Sequence, residues 1–291
     1  MPGLSLRQPM NVNQATQLFE LDLYSKPVHE AGLYHDTDRK GFVALCWSSK
    51  SGRRLAAAAM EAKRRQQATA ANDDSSGKQT NYGSRDLSMG FRQRSLTLDE
   101  MPTVLGNLTG HIELEPGDSY ETTSIWLSQG EFTQPNRQKI NLARIAVCWV
   151  DLDLQHENSP PRLRSMTRQR ALDAVLERCQ AQDVPLPTLI LWTGRGLCVK
   201  WLTDVLPKQA YPRWAAAQAA LVELFRDLGA DASARDASRV LRLAGTHNHK
   251  SGQVCAPLWV NTFFGDVVRT TLDDLCNAIL PFTRQELEQL R

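Results

Sequence analysis

The sequence lacks a long apolar run and a secretion signal. No stretch approaches the roughly 18 apolar residues that a membrane-spanning helix needs. The N-terminus does not have the basic-then-apolar order of a signal peptide. The cysteines show neither a Cys-x-x-Cys pair nor zinc-ligand spacing, and several stand in apolar runs, as reduced buried thiols do. We therefore expect a soluble, cytoplasmic protein with no membrane partner.

The chain also has little net charge. The formal charge is only +2 over 291 residues. A polyanionic partner would therefore bind to a local basic patch, because the protein as a whole is not strongly basic. Apolar content of 42% and charged content of 23% are ordinary for a globular protein, and a chain of this length can bury a large core.

Strands and helices interleave along the chain, which predicts a mixed α/β (α+β) fold with a central sheet. Strands are expected at 41–48, 124–132, 145–154 and 188–192, in a hairpin over 193–202, and at 254–264. Helices are expected at 53–71, 167–182, 211–228 and 272–290. We expect an N-terminal α/β subdomain over 1–110, a catalytic subdomain over 111–270 and a C-terminal helix or linker over 271–291, without two independent cores.

Residues 72–94 are polar, contain Gly, Ser and Asn, and have almost no aliphatic side chain. This composition predicts a flexible loop. Its basic side chains Lys78, Arg85, Arg92 and Arg94 are candidates for contacts with DNA phosphates, although such charges are often simply solvated.

Two aspartates follow a run of apolar residues at 145–150. In a strand, Asp151 and Asp153 project to the same face, because side chains alternate with period two. Neighbouring carboxylates repel each other, and a divalent cation such as Mg2+ or Mn2+ relieves the repulsion. Asp231, after a helix and a Gly-Ala turn, is the best third carboxylate, with Asp236 as its competitor. Three carboxylates on two metals are typical of nucleotidyl transfer.

A glycine turn follows the strand at 188–192. Thr193, Gly194, Arg195 and Gly196 offer backbone amides and a guanidinium, and the glycines place no side chain in the way of an anion. Lys200 lies on the same strand face as Cys198 and is expected to reach the same anion. A plain hairpin turn explains the Thr-Gly-Arg-Gly pattern equally well.

A third polar segment lies at 239–250. Arg239, Arg242 and Lys250 are candidate phosphate ligands, and Asn248 is a candidate ligand of a ribose or base. Singly, each of these side chains is equally compatible with a surface ion pair.

Together, these segments resemble the archaeo-eukaryotic primase superfamily. The likeness rests on Val-Asp-Leu-Asp at 150–153, Thr-Gly-Arg-Gly-Leu at 193–197 and Arg-Val-Leu-Arg-Leu-Ala-Gly-Thr-His-Asn-His-Lys at 239–250, in this order. It covers roughly 124–250 and is strongest for replication primases and primase-polymerases of plasmids and other mobile elements.

This resemblance implies an RRM-like catalytic sheet joined to an N-terminal α/β unit. It also implies metal binding by Asp151, Asp153 and Asp231, and nucleotide binding through the second and third motifs. The chain departs from the family at Cys198, where many members have a histidine that contacts the nucleotide phosphates. A thiol cannot donate a hydrogen bond as an imidazolium does, so Arg195 or Lys200 is expected to substitute.

Other functions remain open at this stage. His247 and His249 share a strand face, as in relaxases and rolling-circle initiators, but the residue between them is Asn, and Tyr211 is the only candidate nucleophile. A metal-dependent nuclease would use the aspartates without the glycine turn or the basic cluster. An inactive origin- or single-strand-binding module would stack bases on Trp126, Trp149, Trp192 or Trp201, whose apolar surroundings favour core packing for most of them.

The sequence thus predicts a DNA-dependent primase that synthesises short primers on single-stranded DNA from nucleoside triphosphates. The expected cofactor is Mg2+ or Mn2+ at a two-metal site. A replicative helicase or a fused C-terminal domain is a possible partner.

Overall fold

The chain folds around one antiparallel sheet. The computed structural model describes residues 20–70 and 90–289. In these residues the main sheet has nine strands: β1 (Phe42–Ser49), β2 (Phe91–Thr97), β3 (Thr123–Ser128), β4 (Gly130–Phe132), β5 (Leu142–Leu152), β6 (Leu189–Trp192), β7 (Leu197–Pro207), β8 (Val240–Arg242) and β11 (Ala256–Val260). Two small ribbons are formed by β9 (His247–Asn248) with β10 (Gln253–Val254) and by β12 (Thr262–Phe263) with β13 (Asp266–Val267).

The α-helices of the described residues are α1 (Pro27–Gly32), α2 (Lys50–Ala70), α3 (Met101–Gly106), α4 (Pro161–Arg164), α5 (Arg168–Ala181), α6 (Tyr211–Leu224), α7 (Leu272–Ile279) and α8 (Arg284–Gln289). Local signals set several of their starts. The hydroxyl of Thr167 accepts a hydrogen bond from the amide of Arg170 and caps α5, and a proline stands in the first turn of α6. The expected mixed α+β fold is confirmed.

The sheet order is β11-β6-β7-β5-β4-β1-β3-β8, and β2 pairs with the edge of β1. β5 and β7 form the longest ladder, in which Asp151 lies opposite Cys198 and Leu152 opposite Leu197. β5 reads as an almost continuous apolar run because it is a central strand and is buried along most of its length. It therefore carries the acidic pair out of the core on a rigid element.

Two apolar clusters pack on this sheet. The larger one surrounds β5, β6 and β7 and includes Trp149, Trp201 and Trp214, all fully buried. The smaller one gathers residues of α1, β1, β2, α3 and β3, and Leu243 joins it from the far end of the chain. Because the strands of both clusters belong to one sheet, the two are held together by backbone hydrogen bonds. The division into subdomains stays a prediction.

Several predicted boundaries change. The strand predicted at 124–132 is divided into β3 and β4, and that at 254–264 into β10, β11 and β12. The helix predicted at 272–290 is interrupted before Pro281, whose ring disfavours a helical residue in front of it. The loop predicted over 72–94 is wrong at its end, since Phe91–Thr97 form β2; residues 72–89 lie outside the described residues.

None of the helices in the described ranges has the length and apolarity required to cross a membrane.

Candidate active site

The three predicted motifs meet at one cavity of about 720 Å³. This volume is within the range of small-molecule sites, roughly 300–1,000 Å³. Its walls come from β2, β3, β5, β7 and β8 and from the turns that follow β5, β6 and β9. Of the predicted site residues, the lining includes Asp151, Asp153, Thr193, Arg195, Cys198, Arg239, Arg242, Asn248 and Lys250.

The acidic pair lies where β5 ends. Asp151 is the second-last residue of the strand, and Asp153 follows its last residue. The amide of Asp231 donates to the carbonyl of Asp151 at 2.8 Å, which fixes the returning chain beside the strand. Burial, followed by the charges of Asp153 and then Asp231, raises the pKa of Asp151 to about 7. The repulsion predicted for the pair is therefore present in the folded chain.

Asp231 is close to the pair but engaged elsewhere. One of its oxygens accepts from the backbone amide of Ser233 at 2.8 Å, and the other accepts from Arg239 at 2.9 Å. It does not line the cavity, whereas Asp236, its competitor in the sequence, does. In the ranges 20–70 and 90–289, no group of three or more His, Cys, Asp and Glu side chains is arranged to hold a metal ion. The three-carboxylate site stays a prediction.

The acidic pair by itself fits a hard divalent cation. It offers carboxylate oxygens, and the raised pKa of Asp151 marks a negative charge that the protein does not fully compensate. Asp231 forms an ion pair with Arg239, which already neutralises part of its charge.

The glycines of the second motif serve chain packing. A Cβ atom on Gly196 would lie 1.8 Å from the carbonyl oxygen of Leu152, so only glycine lets the turn approach the end of β5. A Cβ on Gly194, whose φ is +94°, would lie 2.5 Å from the Ser251 hydroxyl. The space expected for an anion at these positions is therefore filled by the chain itself.

The amide of Asn248 joins the second and third motifs. Its Nδ2 donates to the carbonyl of Thr193 at 2.8 Å, and its Oδ1 accepts from the amide of Lys250 at 3.1 Å. Arg195 is also held, since Nη2 donates to the carbonyl of Gln155 at 2.6 Å. Asn248 thus positions the neighbouring residues, and its role as a ligand of a ribose or base remains a prediction.

Positive charge dominates the cavity. Six basic side chains face three carboxylates there: Arg53, Arg137, Arg195, Arg239, Arg242 and Lys250 against Asp151, Asp153 and Asp236. Among the residues that the structure describes, only Arg239 of these six forms an ion pair. The other five leave a surplus of positive charge that an anionic ligand would neutralise.

Burial and the neighbouring positive charges lower the pKa values of several basic side chains at the cavity. Burial lowers the pKa of Arg242 to about 10. Burial and the charges of Arg53 and Arg195 lower the pKa of Lys250. Burial and the charges of Arg53 and Arg242 lower the pKa of His249 to about 4, so its imidazole is neutral at neutral pH. A bound anion would relieve this repulsion.

The prediction that Lys200 reaches a bound anion is wrong. It shares the strand face of Cys198 but does not line the cavity, because it is completely buried. Its ammonium lies 2.6 Å from Glu30, 2.9 Å from Gln129 and 3.3 Å from the Tyr34 hydroxyl. Nearby negative charge, with Glu30 first, raises its pKa although burial acts in the opposite direction. Lys200 joins α1 to the sheet and cannot substitute at the phosphates.

Cys198 lines the cavity beside Asp151, and burial holds its thiol pKa well above the ordinary value. The thiol therefore stays neutral, and of the two predicted substitutes only Arg195 reaches the cavity.

Of the four predicted DNA-contact residues, two lie in the described ranges and two do not. Lys78 and Arg85 lie outside them. Arg92 and Arg94 are on β2 and not in a loop, where Arg92 pairs with Glu115 at 2.8 Å and Arg94 with Glu100 at 3.0 Å. A role for Arg92 and Arg94 on DNA stays a prediction, but both charges already have partners.

Several residues that line the cavity have no role there that the sequence predicts: Arg53, Phe91, Arg137 and His156. For Trp126, the sequence is compatible with both base stacking and core packing. Arg53, Phe91 and Trp126 precede the first motif in the chain and belong to no recognised pattern. Arg53 lies in the first turn of α2, directly after the buried strand β1.

The histidine pair predicted for a relaxase does not form a common site. His249 lines the cavity, with its Nδ1 at 2.6 Å from the Ser124 hydroxyl. His247 packs its ring edge-on against Tyr120. Tyr211 stacks on Trp214 at the start of α6 and does not line the cavity.

The chain has limited similarity to known proteins. No model of a known protein family matches the chain. A replication protein of Clostridium perfringens is 29% identical over 131 residues, which are 45% of this chain and 30% of that protein. This chain therefore spans less than a third of that relative's length.

Two solved structures are similar over most of the chain. The archaeo-eukaryotic primase domain of the cyanophage S-2L primase-polymerase matches with a TM-score of 0.45 and 13% identity, over 92% of this chain and 98% of that domain. The catalytic domain of primase RepB′ in complex with initiator DNA matches with a TM-score of 0.43 and 12% identity, over 93% and 96%.

Proposed function

We propose that this chain carries the nucleotidyl-transfer site of a DNA-dependent primase or primase-polymerase. It would join nucleoside triphosphates into short primers on single-stranded DNA, in the replication of a plasmid or other mobile element. The observation that carries this proposal is the composition of one cavity. An acidic pair at the end of β5 faces five basic side chains that have no carboxylate partner in the described residues.

The charge surplus favours a triphosphate over a simple phosphodiester. A nuclease needs carboxylates and a cation, and it attacks a linkage that bears a single negative charge. A triphosphate brings several charges, and phosphoryl transfer depends mainly on positioning and on neutralising them. The cavity supplies such neutralisation from β8, from the turn after β9 and from the turn between β6 and β7.

In this proposal the cavity residues have distinct roles. Asp151 and Asp153 would hold Mg2+ or Mn2+, and the bound cation would neutralise charge on the phosphates and lower the pKa of the attacking 3′-hydroxyl. Arg195, Arg242 and Lys250 bind the phosphate oxygens. Asp231 is the proposed third carboxylate of a two-metal site, in exchange for its contact with Arg239.

The similarity to the Clostridium perfringens protein supports a role in replication but gives no information on nucleotidyl transfer. It is called a replication protein, and its similarity covers less than half of this chain. The template strand, and a replicative helicase or a further domain that acts with the primase, are parts of the proposal. Contacts through DNA phosphates would make template binding sensitive to salt.

Primer synthesis on single-stranded DNA with labelled nucleotides and Mg2+ or Mn2+ tests the proposal. We expect metal-dependent oligonucleotides from the wild type and none from Asp151→Asn or Asp153→Asn. Asp38→Asn, at an exposed position outside the cavity, is the matched control and should retain full activity. Cleavage of the strand without synthesis, or synthesis that survives both substitutions at the acidic pair, would contradict the proposal.

A further inference from the structure

The cavity has one aromatic wall. Phe91 from β2 and Trp126 from β3 line it, next to Val240 of β8, and the guanidinium groups of Arg137 and Arg242 lie against their rings. The cavity thus combines charged side chains with a flat aromatic surface. A nucleotide combines the same features, with charged phosphates at one end and a flat base at the other.

Trp126 differs from the other tryptophans of the chain. Six of the seven donate their indole N–H to an oxygen of the protein: Trp47, Trp149, Trp192, Trp201, Trp214 and Trp259. For Trp126, the described residues provide no such acceptor, and its nitrogen is not among the buried unpaired atoms. Its ring is only half-buried. Trp126 therefore presents both a ring and a free donor at the cavity.

Neighbouring side chains hold the Trp126 ring in place. The guanidinium of Arg242, its cross-strand partner, lies 4.9 Å from the ring centroid, and Phe91 packs at 5.5 Å with a tilt of 41°. Arg242 is itself fixed, because its Nη1 donates to the carbonyl of His247 at 2.9 Å. Phe91 in turn carries the guanidinium of Arg137 at 6.0 Å. The platform is built before any ligand arrives.

We propose that Trp126 and Phe91 form a stacking platform for a nucleobase, and that the indole N–H of Trp126 donates to an acceptor on the base edge. The position of Arg242 explains how one ligand contacts both the aromatic surface and the basic side chains. Arg242 stacks on Trp126 and is also one of the cavity cations without a carboxylate partner in the described residues. The proposed binding sites for the base and for a phosphate are therefore next to each other. The inference rests on the proposed function for its choice of ligand.

A nucleobase can reach the platform from a free nucleotide or from single-stranded DNA. Binding of four probes to the full chain separates these sources: ATP, inorganic tripolyphosphate, oligo(dT) and an abasic oligonucleotide of the same length. Trp126→Leu removes the ring, whereas Trp126→Phe keeps a ring and loses the donor. Trp259→Leu is the matched control, since Trp259 is also half-buried on the same sheet but lies outside the cavity.

We expect Trp126→Leu to weaken binding of the base-containing probe by roughly 5- to 150-fold, the effect of losing one aromatic stack. Binding of tripolyphosphate and of the abasic strand should not change, Trp126→Phe should lose less, and Trp259→Leu nothing. A loss for ATP identifies the nucleotide base, and a loss for oligo(dT) alone identifies a base of the strand.

Equal losses for base-containing and base-free probes would overturn the inference, because they would indicate a distorted cavity. So would unchanged binding of both ATP and oligo(dT), or a wild type that binds neither. Since binding is measured without turnover, a chain that makes no primers but keeps the base-dependent effect of Trp126→Leu would refute the proposed function alone.

Discussion

The buried ion pair between Lys200 and Glu30 leads to a specific prediction about stability. Both side chains have no exposed surface, and 2.6 Å separates Nζ from Oε1. The second oxygen of Glu30 accepts from the amide of Ala244 at 2.6 Å, in the third motif. Lys200→Met removes the positive charge and leaves the Glu30 carboxylate buried without its counter-ion.

The expected cost of Lys200→Met is about 3–5 kcal/mol, the usual effect of breaking a buried pair from one side. This is a large share of the roughly 5–15 kcal/mol by which folded proteins are stable. Glu30→Gln should also destabilise, because a buried ammonium then lacks its counter-ion. The double variant should lose less than the sum of the two, since no unpaired charge remains.

Urea unfolding followed by circular dichroism measures these free energies. The matched control is Arg170→Met, which breaks an ion pair with Glu177 in which both side chains are more than 60% exposed. Such a surface pair contributes about 0–1 kcal/mol. If Lys200→Met leaves the free energy of unfolding unchanged but abolishes nucleotide binding, our assignment of Lys200 to a structural role is refuted.

Three further predictions concern the cavity and the β6–β7 turn. Because the pKa of Asp151 is raised from 3.8 to about 7, this group stabilises the metal-free fold fully below about pH 4 and loses that contribution, at most about 4 kcal/mol, as the pH rises through 7. Urea titrations at several pH values should show that the free energy of unfolding falls as the pH rises. Asp151→Asn should weaken this pH dependence, and Mg2+ should restore stability above pH 7. Gly196→Ala should destabilise by at least 1–3 kcal/mol through its clash with the end of β5, whereas Gly106→Ala, with nothing within 4 Å, should not; equal thermal midpoints would contradict the packing role. Lys250→Met should weaken ATP binding by about 10-fold or more, through the loss of a charged hydrogen bond, and Arg92→Met, whose charge is already paired, should not; calorimetry measures both, and the opposite ranking would argue against the cavity.

Predictions that depend on neighbouring residues were the more accurate ones. The apolar run at 145–150 predicts the strand that leads to Asp151, and β6 lies within the strand predicted at 188–192. β7 extends five residues beyond 202, the predicted end of the hairpin. The shared cavity of the acidic pair, the glycine turn and the third segment was implied by the resemblance and not by strand spacing.

Predictions that depended on distant residues were less accurate. Lys200 has the strand face that its spacing predicts, but Glu30 covers that face from 170 residues away. No local pattern announces this partner. Trp126 and Phe91 reach the cavity because their strands belong to the same sheet as β5, and sequence spacing contains no information on how that sheet curves. The sequence predicts that glycine at 196 gives access to an anion, whereas in the structure it permits the close approach to Leu152.

The position of β1 in the sheet has a consequence for synthesis on the ribosome. β1 lies between β2 and the β3–β4 segment, which is the last of these to leave the exit tunnel. Until Thr123–Phe132 has emerged, one edge of this apolar strand has no partner in the sheet, and exposed edges of this kind favour association with other chains. We expect nascent chains that stop before Thr123 to be held by chaperones, and those that extend beyond Phe132 to be released.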